Sequence, residues 1–158
     1  MTKLKEKDIV KKIVDSWEEY FPDLSFVKTE FAFRDFRVDI FADFEVDREA
    51  FGLRPSDYRL KAPIFFEVKY NSEMRDLIYE LQKQIRFRDF YTNIAGNLAI
   101  ICVISDKFED QTMIDFMIQN QIYMYQINIK DDDIDTLTLT EFNQDFSVEL
   151  MEEIAWKT

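Results

Sequence analysis

Apolar residues recur with two different periods along this chain, and the period predicts where helices and strands lie. Near the N-terminus, Ile9, Ile13 and Trp17 follow one another at intervals of four, with charged residues between them. This spacing places the apolar residues on one face of a helix. We therefore predict a helix over residues 3–20, which ends before Pro22 because proline cannot continue a helix.

Alternation of apolar and polar residues replaces the helical period further on. Residues 25–34 and 36–46 each predict a strand, and the short Arg34–Asp35 link predicts an antiparallel hairpin. Asp39 is an acid in the middle of the second strand. Residues 47–61 contain glycine, proline and several charges, so we expect a connecting excursion there.

The next strand carries two opposite charges in an apolar run. Pro63 opens it, and the run from Ile64 to Tyr70 is rich in aromatic and β-branched residues. Glu67 and Lys69 are two positions apart, so both side chains point to the same face of the sheet. Two charges on one face of a buried strand either satisfy each other or line a site.

The rest of the chain continues the alternation of helices and strands. The predicted elements are a helix from an N-cap at Ser72 to about Tyr91, a strand over 98–105, a helix over 108–120, a strand over 122–129, a strand over Thr136–Phe142 and a helix over 147–156. The order α-β-β-β-α-β-α-β predicts an α/β protein, in which helices flank a mixed sheet. We expect a single domain over 1–158, with its core in about 1–130 and a strand and helix added over 136–157.

Composition excludes several kinds of chemistry. The 158 residues include no histidine, so histidine catalysis, Ser-His or Cys-His nucleophiles and the usual zinc sites are excluded. Any catalysis must use carboxylates, lysine, tyrosine or a hard metal ion. The lone Cys102 excludes an internal disulfide framework, and we find neither a signal peptide nor a membrane span. We expect a cytoplasmic protein without membrane contact.

The net charge of -12 by itself argues against a nucleic-acid binder. The charge is unevenly distributed, however. Residues 1–91 carry a net charge of -2, and residues 92–158 carry -10. The half that contains Glu67 and Lys69 is therefore close to neutral, and a local phosphate-binding face remains compatible with it.

Asp39 joins Glu67 and Lys69 in the central hypothesis. If the strand of Asp39 pairs beside the strand of Glu67, the two carboxylates converge on one divalent cation. Mg²⁺ needs only one or two carboxylates, because waters and substrate phosphate oxygens complete its coordination. Lys69, two residues beyond Glu67, would orient water or stabilise developing negative charge. The alternative is a Glu-Lys pair of little energetic value beside an unrelated Asp.

This pattern resembles the PD-(D/E)xK, or restriction-endonuclease-like, nuclease superfamily. The matching residues are Asp39 and the Glu67-Val68-Lys69 run, within an αβββαβ element order that covers roughly residues 1–130. The resemblance implies a Mg²⁺-dependent nuclease that hydrolyses DNA phosphodiester bonds and leaves 5′-phosphate ends, with Mn²⁺ as a substitute for Mg²⁺. It also makes RNA cleavage and a homodimer reasonable expectations. In this chain Val38 stands where the superfamily commonly has proline.

Further acids are candidates for the same metal site. Archaeal Holliday-junction resolvase-type members place an additional Glu on the first helix, and Glu6 before Ile9 and Val10 is similar to that arrangement. We therefore include Glu6 as a candidate metal ligand. The acids Glu18, Glu19 and Glu30 are alternatives, and a solvated surface position is the competing interpretation for each of these acids.

The helix after Lys69 offers a glutamine and several cations. Exonuclease-like members of the superfamily carry a glutamine on this helix, which makes Gln84, with Gln82 beside it, a candidate site residue by resemblance. Position 88 is Arg where those members have tyrosine. Basic residues of the helix are candidates for phosphate contacts, or they form a solvated face: Lys83, Arg86 and Arg88.

Two other functions remain open at this stage. The chain is either a catalytically inactive protein of the same fold that binds nucleic acid or assists assembly, or an acidic interaction or inhibitor module that acts through residues 106–153. The acidic run over 131–135 lacks the glycine and the bidentate glutamate of a calcium-binding loop, so we expect a solvated turn there.

Overall fold

Among the residues that the structure describes, six strands form one mixed sheet whose spatial order follows the order along the chain. The computed structural model describes residues 4–33, 36–46, 60–71, 74–95 and 99–143. The helices are α1 (Glu6–Asp15), α2 (Trp17–Tyr20), α3 (Ile78–Ala95) and α4 (Gln111–Gln119). The strands are β1 (Leu24–Phe33), β2 (Phe36–Val46), β3 (Leu60–Lys69), β4 (Ile100–Ser105), β5 (Tyr123–Lys130) and β6 (Asp133–Leu139).

The pairing directions follow from the connections between strands. β1, β2 and β3 pair antiparallel, as the alternating patterns and the predicted hairpin require. β4 and β5 pair parallel to β3 and to each other, because α3 and α4 carry the chain back across the sheet. β6 returns antiparallel to β5. The prediction of a mixed sheet flanked by helices is confirmed.

Two apolar clusters cover the two faces of the sheet. On one face α1 and α2 pack Ile9, Ile13 and Trp17 against alternate residues of the sheet such as Phe66. On the other face α3 and α4 pack against the sheet residues that alternate with the first set, such as Phe65. β4 is buried along its whole length, which explains its continuous apolar run.

Several element boundaries differ from the predicted ones. The helix predicted over 3–20 is interrupted at Ser16, whose φ of -121° and ψ of 34° are not helical. β3 begins at Leu60 rather than at Pro63, and β6 begins at Asp133 rather than at Thr136. β6 also ends at Leu139, and a 3₁₀ turn follows it over Glu141–Asn143.

Pro63 is tolerated inside β3 because of the direction in which its nitrogen points. The Val68 N–H points toward β2, and main-chain groups alternate along a strand, so the nitrogen of Pro63 points toward β4. The pairing of β4 with β3 starts only at Ile64, opposite Ile100. No hydrogen-bond donor is needed at Pro63, and the strand can start before the proline.

Several predictions lie outside the described residues. They concern the Arg34–Asp35 turn, most of the 47–61 excursion, the Ser72 N-cap and the C-terminal helix over 147–156. Of the acidic run over 131–135, only Asp131 and Asp132 form the turn between β5 and β6, with φ of 52° and 59°, and the rest of the run belongs to β6. Within the described ranges, no helix has the length and apolar character needed to cross a membrane.

Candidate active site

The candidate site lies where β2 and β3 separate. Their pairing ends with Ile40 opposite Phe66, which sets Asp39 opposite Glu67 one residue further on. At that point Asp39 Oδ2 accepts a hydrogen bond of 2.7 Å from the Val68 N–H. The carboxylate thus occupies the place of a main-chain acceptor and satisfies a strand N–H that would otherwise lack a partner. This register is the one that the hypothesis requires.

Glu67 is held from the side of α3. Its side chain lies on the same face of β3 as Phe65 and is 8% exposed. The amide Nε2 of Gln84, a fully buried residue, donates to Glu67 Oε1 at 2.8 Å and to the Arg37 carbonyl at 3.2 Å. One glutamine therefore connects α3 to both strands of the site and fixes the orientation of the Glu67 carboxyl.

The two carboxyl groups disfavour each other's ionisation. Burial, and then the charge of Asp39, raise the pKa of Glu67 to about 9, while the Gln84 hydrogen bond and the charge of Lys69 act in the opposite direction. Burial also raises the pKa of Asp39, although the Val68 N–H and a hydrogen bond from Glu67 lower it. At neutral pH and without a cation, Glu67 therefore holds a proton that it shares with Asp39.

Lys69 supplies the positive charge closest to this pair along the strand. Its charge acts on both Asp39 and Glu67. The residue is partly exposed and lies at the last β3–β4 pair, opposite Ser105. Within the described part of the chain, Lys69 forms no ion pair shorter than 4.0 Å. Its ammonium group therefore remains available to a ligand at the solvent side of the carboxyl pair.

Glu6 reaches the same strand end from the opposite face of the sheet. It lies in the first turn of α1, and its Oε1 accepts a hydrogen bond of 3.4 Å from the Tyr70 N–H. Its charge raises the pKa of Asp39, so the two carboxylates are near each other. In the ranges that the structure describes, however, no three acids or cysteines form a group able to hold a metal ion. A metal role for Glu6 stays a prediction.

The donor set of the site fits a hard divalent cation. A cation between the buried Glu67 and the partly buried Asp39 would stabilise the ionised form of both carboxyl groups and displace the proton. Oxygen ligands of this kind are those that Mg²⁺ takes, together with water. In addition, the buried Gln84 Oε1 has no hydrogen-bond partner among the residues that the structure describes. This unsatisfied oxygen is unusual in a folded interior and marks the place as one where a further polar ligand belongs.

The alternative acids lie away from the site. Glu18, Glu19 and Glu30 are exposed, and none of their charges is among those that shift the pKa of Asp39 or Glu67. Glu19 acts instead on Tyr20. These three acids are therefore surface residues, which is the competing interpretation given above.

The other candidates on α3 fall into two groups. Arg88 donates to the Asn120 carbonyl and lies 3.5 Å from Asp89, so it holds α3 to the end of α4. Gln82 and Arg86 are exposed, and Lys83 is partly exposed. Of the glutamines on this helix, Gln84 contacts the carboxyl pair and Gln82 faces solvent.

Polar residues that follow the parallel strands also gather at this edge, although the sequence pattern did not single them out. The Asn71 N–H donates to Asp106 Oδ1 at 3.0 Å, and Lys107 Nζ lies 3.5 Å from Asn71 Oδ1. Glu80 on α3 is a further addition, because its charge raises the pKa of Glu67. The carboxyl ends of parallel strands meet at one edge, so polar residues directly after β3 and β4 were the available signal.

Comparisons with protein-family models, with curated proteins and with solved structures give no match to this chain. The function has to be inferred from the residues of the site and from the general chemistry of such groups. Similarity in motif and element order favours a hypothesis, but function depends on the residues of the site.

Proposed function

We propose that this protein is a Mg²⁺-dependent nuclease that hydrolyses DNA phosphodiester bonds. The observation that carries the proposal is the Asp39–Glu67 pair, a partly buried and a buried carboxyl group that lie opposite each other at the point where β2 and β3 separate. Lys69 lies two residues beyond Glu67 on the same face of the strand. An acid pair with an adjacent lysine suits metal-assisted phosphoryl chemistry, which needs no histidine.

Each residue has a distinct role in the proposal. Asp39 and Glu67 would hold the cation, which would withdraw charge from the scissile phosphate and make water a better nucleophile. Lys69 would orient the attacking water and stabilise the negative charge that develops on the phosphate. Gln84 is a positioning residue, because it contacts Glu67 and the Arg37 carbonyl and fixes the carboxyl that would bind the cation.

The order of elements supports the same proposal. A helix, an antiparallel three-stranded meander with the acids on its second and third strands, a helix and a parallel strand follow one another along the chain. This order is similar to the restriction-endonuclease-like core, and we extend the proposal to that fold. The excursion between β2 and β3 would then be an insertion that leaves the site strands in register.

A cleavage panel with a matched lysine variant tests the proposal. Purified protein is incubated with single-stranded, duplex, branched and RNA substrates in Mg²⁺ or Mn²⁺, beside Lys69→Ala and the surface control Lys28→Ala. We expect cleavage by the wild type and by Lys28→Ala, and a loss of at least about 100-fold in Lys69→Ala, because one preorganised charge contributes roughly that much. Absence of cleavage on every substrate, or equal cleavage by Lys69→Ala, would refute the proposal.

A second candidate function is an inactive protein of the same fold that binds nucleic acid. The observation that favours it is the Gln84–Glu67 hydrogen bond, which gives the buried Glu67 carboxyl a partner within the protein and without any cation. The two candidates differ in their metal dependence. An inactive relative would bind the same substrates equally well in EDTA and in Mg²⁺, and it would cleave none of them.

A further inference from the structure

Four residues of α3 form a solvent-facing stripe that is both aromatic and basic. Tyr79, Lys83, Arg86 and Phe90 follow at intervals of four, three and four, so they lie on one face of the helix. The residues on the opposite face are buried or partly buried; they include Leu77, Leu81, Gln84, Ile85 and Arg88. Tyr79, Arg86 and Phe90 are exposed and Lys83 is partly exposed; we refer to these four positions as the aromatic–basic face.

The two rings at the ends of this face have little cover. Tyr79 is 61% exposed and Phe90 is 54% exposed. Lys83 Nζ lies 4.2 Å from the centroid of the Tyr79 ring. Arg86 is exposed, and in the described part of the chain it has no hydrogen-bond or ion-pair partner. Large aromatic side chains that remain exposed beside cations indicate a binding surface.

The charge of this face is the reverse of the charge of the whole chain. The face holds two cations and no acid, although the net charge of the protein is -12. The nearest acids on the helix lie on its flanks, where Glu80 pairs with Lys83 at 3.7 Å and Asp89 pairs with Arg88 at 3.5 Å. A local basic stripe in an acidic protein is complementary to a polyanion.

Glu80 links the face to the candidate active site, because it pairs with Lys83 at 3.7 Å and its charge also acts on Glu67. Gln84 contacts Glu67 from the opposite, buried side of the same helix. The carboxyl pair and the aromatic–basic face are therefore connected through Glu80 and Lys83.

We propose that the aromatic–basic face binds unpaired nucleotides next to the cleaved bond, so that the preferred substrate carries a single-stranded segment. The inference rests on the proposed nuclease function for its choice of nucleic acid as partner. From Tyr79 to Phe90 the helix rises about 16 Å at ~1.5 Å per residue. Stacked nucleotides advance ~3.4 Å each along a strand, so about five of them span this distance.

The side chains of this face favour a single nucleic-acid strand over a duplex or a protein partner. Exposed rings can stack on the faces of unpaired bases, and Lys83 and Arg86 can contact the phosphates between them. In a duplex the base faces are covered by neighbouring pairs and cannot stack on Tyr79. A protein partner would be expected to bury a contiguous apolar patch, whereas here the two rings are separated by cations.

A binding experiment without metal tests the proposal separately from catalysis. Fluorescence anisotropy in EDTA compares a 12-nucleotide single strand with a hairpin duplex, for the wild type, Tyr79→Ala, Phe90→Ala, Arg86→Ala and Tyr79→Phe. The control is Phe142→Ala, which removes an aromatic residue that is 39% exposed elsewhere. All variants are first checked for wild-type circular dichroism and for wild-type size in solution.

We expect the wild type to prefer the single strand and each ring-to-alanine variant to bind it at least five-fold more weakly, because stacking on one side chain contributes at least that factor. Tyr79→Phe and Phe142→Ala should bind as the wild type does. Arg86→Ala should reduce the slope of log affinity against log salt by about one phosphate contact.

Failure of this inference can be distinguished from failure of the nuclease proposal. Wild-type binding by both ring variants, tighter binding of the duplex, or a dimer that Phe90→Ala converts to a monomer would overturn the inference. Cleavage by the wild type in Mg²⁺ would survive any of these results. Conversely, single-strand binding that depends on Tyr79 but leads to no cleavage would refute the nuclease and leave the binding face intact.

Discussion

At the β2–β3 junction and at the start of β5, a side-chain oxygen takes the place of a main-chain hydrogen-bond acceptor, but the two side chains differ in charge. At the junction, Asp39 Oδ2 accepts the Val68 N–H at 2.7 Å. At β5, Asn143 Oδ1 accepts the Met124 N–H, also at 2.7 Å. Each side chain completes the hydrogen bonds of a strand where the sheet offers no main-chain partner.

The surroundings of the two side chains differ. Asn143 is neutral and fully satisfied, because it also accepts from Thr140 Oγ1 at 3.3 Å and donates to the Ile122 carbonyl at 3.0 Å. The Asp39 site holds a second acid with a raised pKa and a buried amide oxygen without a partner. A purely structural role needs only the first arrangement. The second is costly for stability, which is why we assign it to function.

The largest effect on stability should come from the neutral network. Asn143→Leu removes the partners of the Met124 N–H and of the Ile122 carbonyl, and each buried group left unpaired costs about 1–3 kcal/mol. We expect the free energy of unfolding in urea to fall by about 2–4 kcal/mol. Asn128→Ala, which removes an exposed hydrogen bond to Thr136, serves as control and should change it by less than about 0.5 kcal/mol. A change in Asn143→Leu as small as that of the control would show that the network is not needed.

The charged site should instead lower stability as pH rises. The pKa of Glu67 is raised from 4.5 to about 9, so the folded protein keeps a proton that the unfolded chain loses above pH 4.5. The resulting stability is complete below that pH and is lost progressively as the pH rises toward the pKa of Glu67 in the folded protein. The raised pKa of Asp39 acts in the same direction.

Glu67→Gln isolates this pH effect. Urea unfolding in EDTA at pH 5.5 and pH 8 should show a steeper loss of stability in the wild type than in the variant, which should be the more stable protein at pH 8. The same substitution should abolish cleavage, because a neutral amide is a poor ligand for Mg²⁺. Parallel stability curves for the two proteins would mean that Glu67 does not hold its proton in the folded state.

A smaller difference should separate two variants of Asp39. Asp39→Asn keeps an oxygen that can accept the Val68 N–H, so we expect its free energy of unfolding to stay within about 1 kcal/mol of the wild type. Asp39→Ala leaves that N–H unpaired and should cost about 1–3 kcal/mol. Both should lose cleavage. If Asp39→Ala were as stable as Asp39→Asn, the carboxylate would have no structural role at the junction.

The features that the sequence predicts best are those with a period. Alternation predicts β2 and a short apolar run predicts β3, and the pairing of these two strands in the structure sets Asp39 opposite Glu67. Single residues such as serine and proline were less reliable indicators of where a helix or strand begins or ends. Ser16 interrupts the first helix within an apolar spacing that continues to Trp17. Pro63 does not mark the start of β3, because its nitrogen faces the side where no strand pairs until Ile64.

Contacts between side chains that are far apart in the sequence do not appear as a periodic pattern of residues. Gln84 was a candidate by resemblance alone, and its hydrogen bond to Glu67 depends on how α3 packs over β3. Asn143 follows Met124 by 19 positions, and its role appears only when the chain after β6 returns to β5. Glu80 acts on Glu67 from a flank of α3 that the helical period marks as solvated. Such residues require the tertiary structure.

Calorimetric titration with Mn²⁺ tests the central claim most directly, namely that Asp39 and Glu67 form the site of a divalent cation. The wild type and the surface control Glu18→Gln should bind one ion per chain, and Asp39→Asn and Glu67→Gln should each show no binding. An absence of binding in the wild type, or unchanged binding in both site variants, would contradict the account.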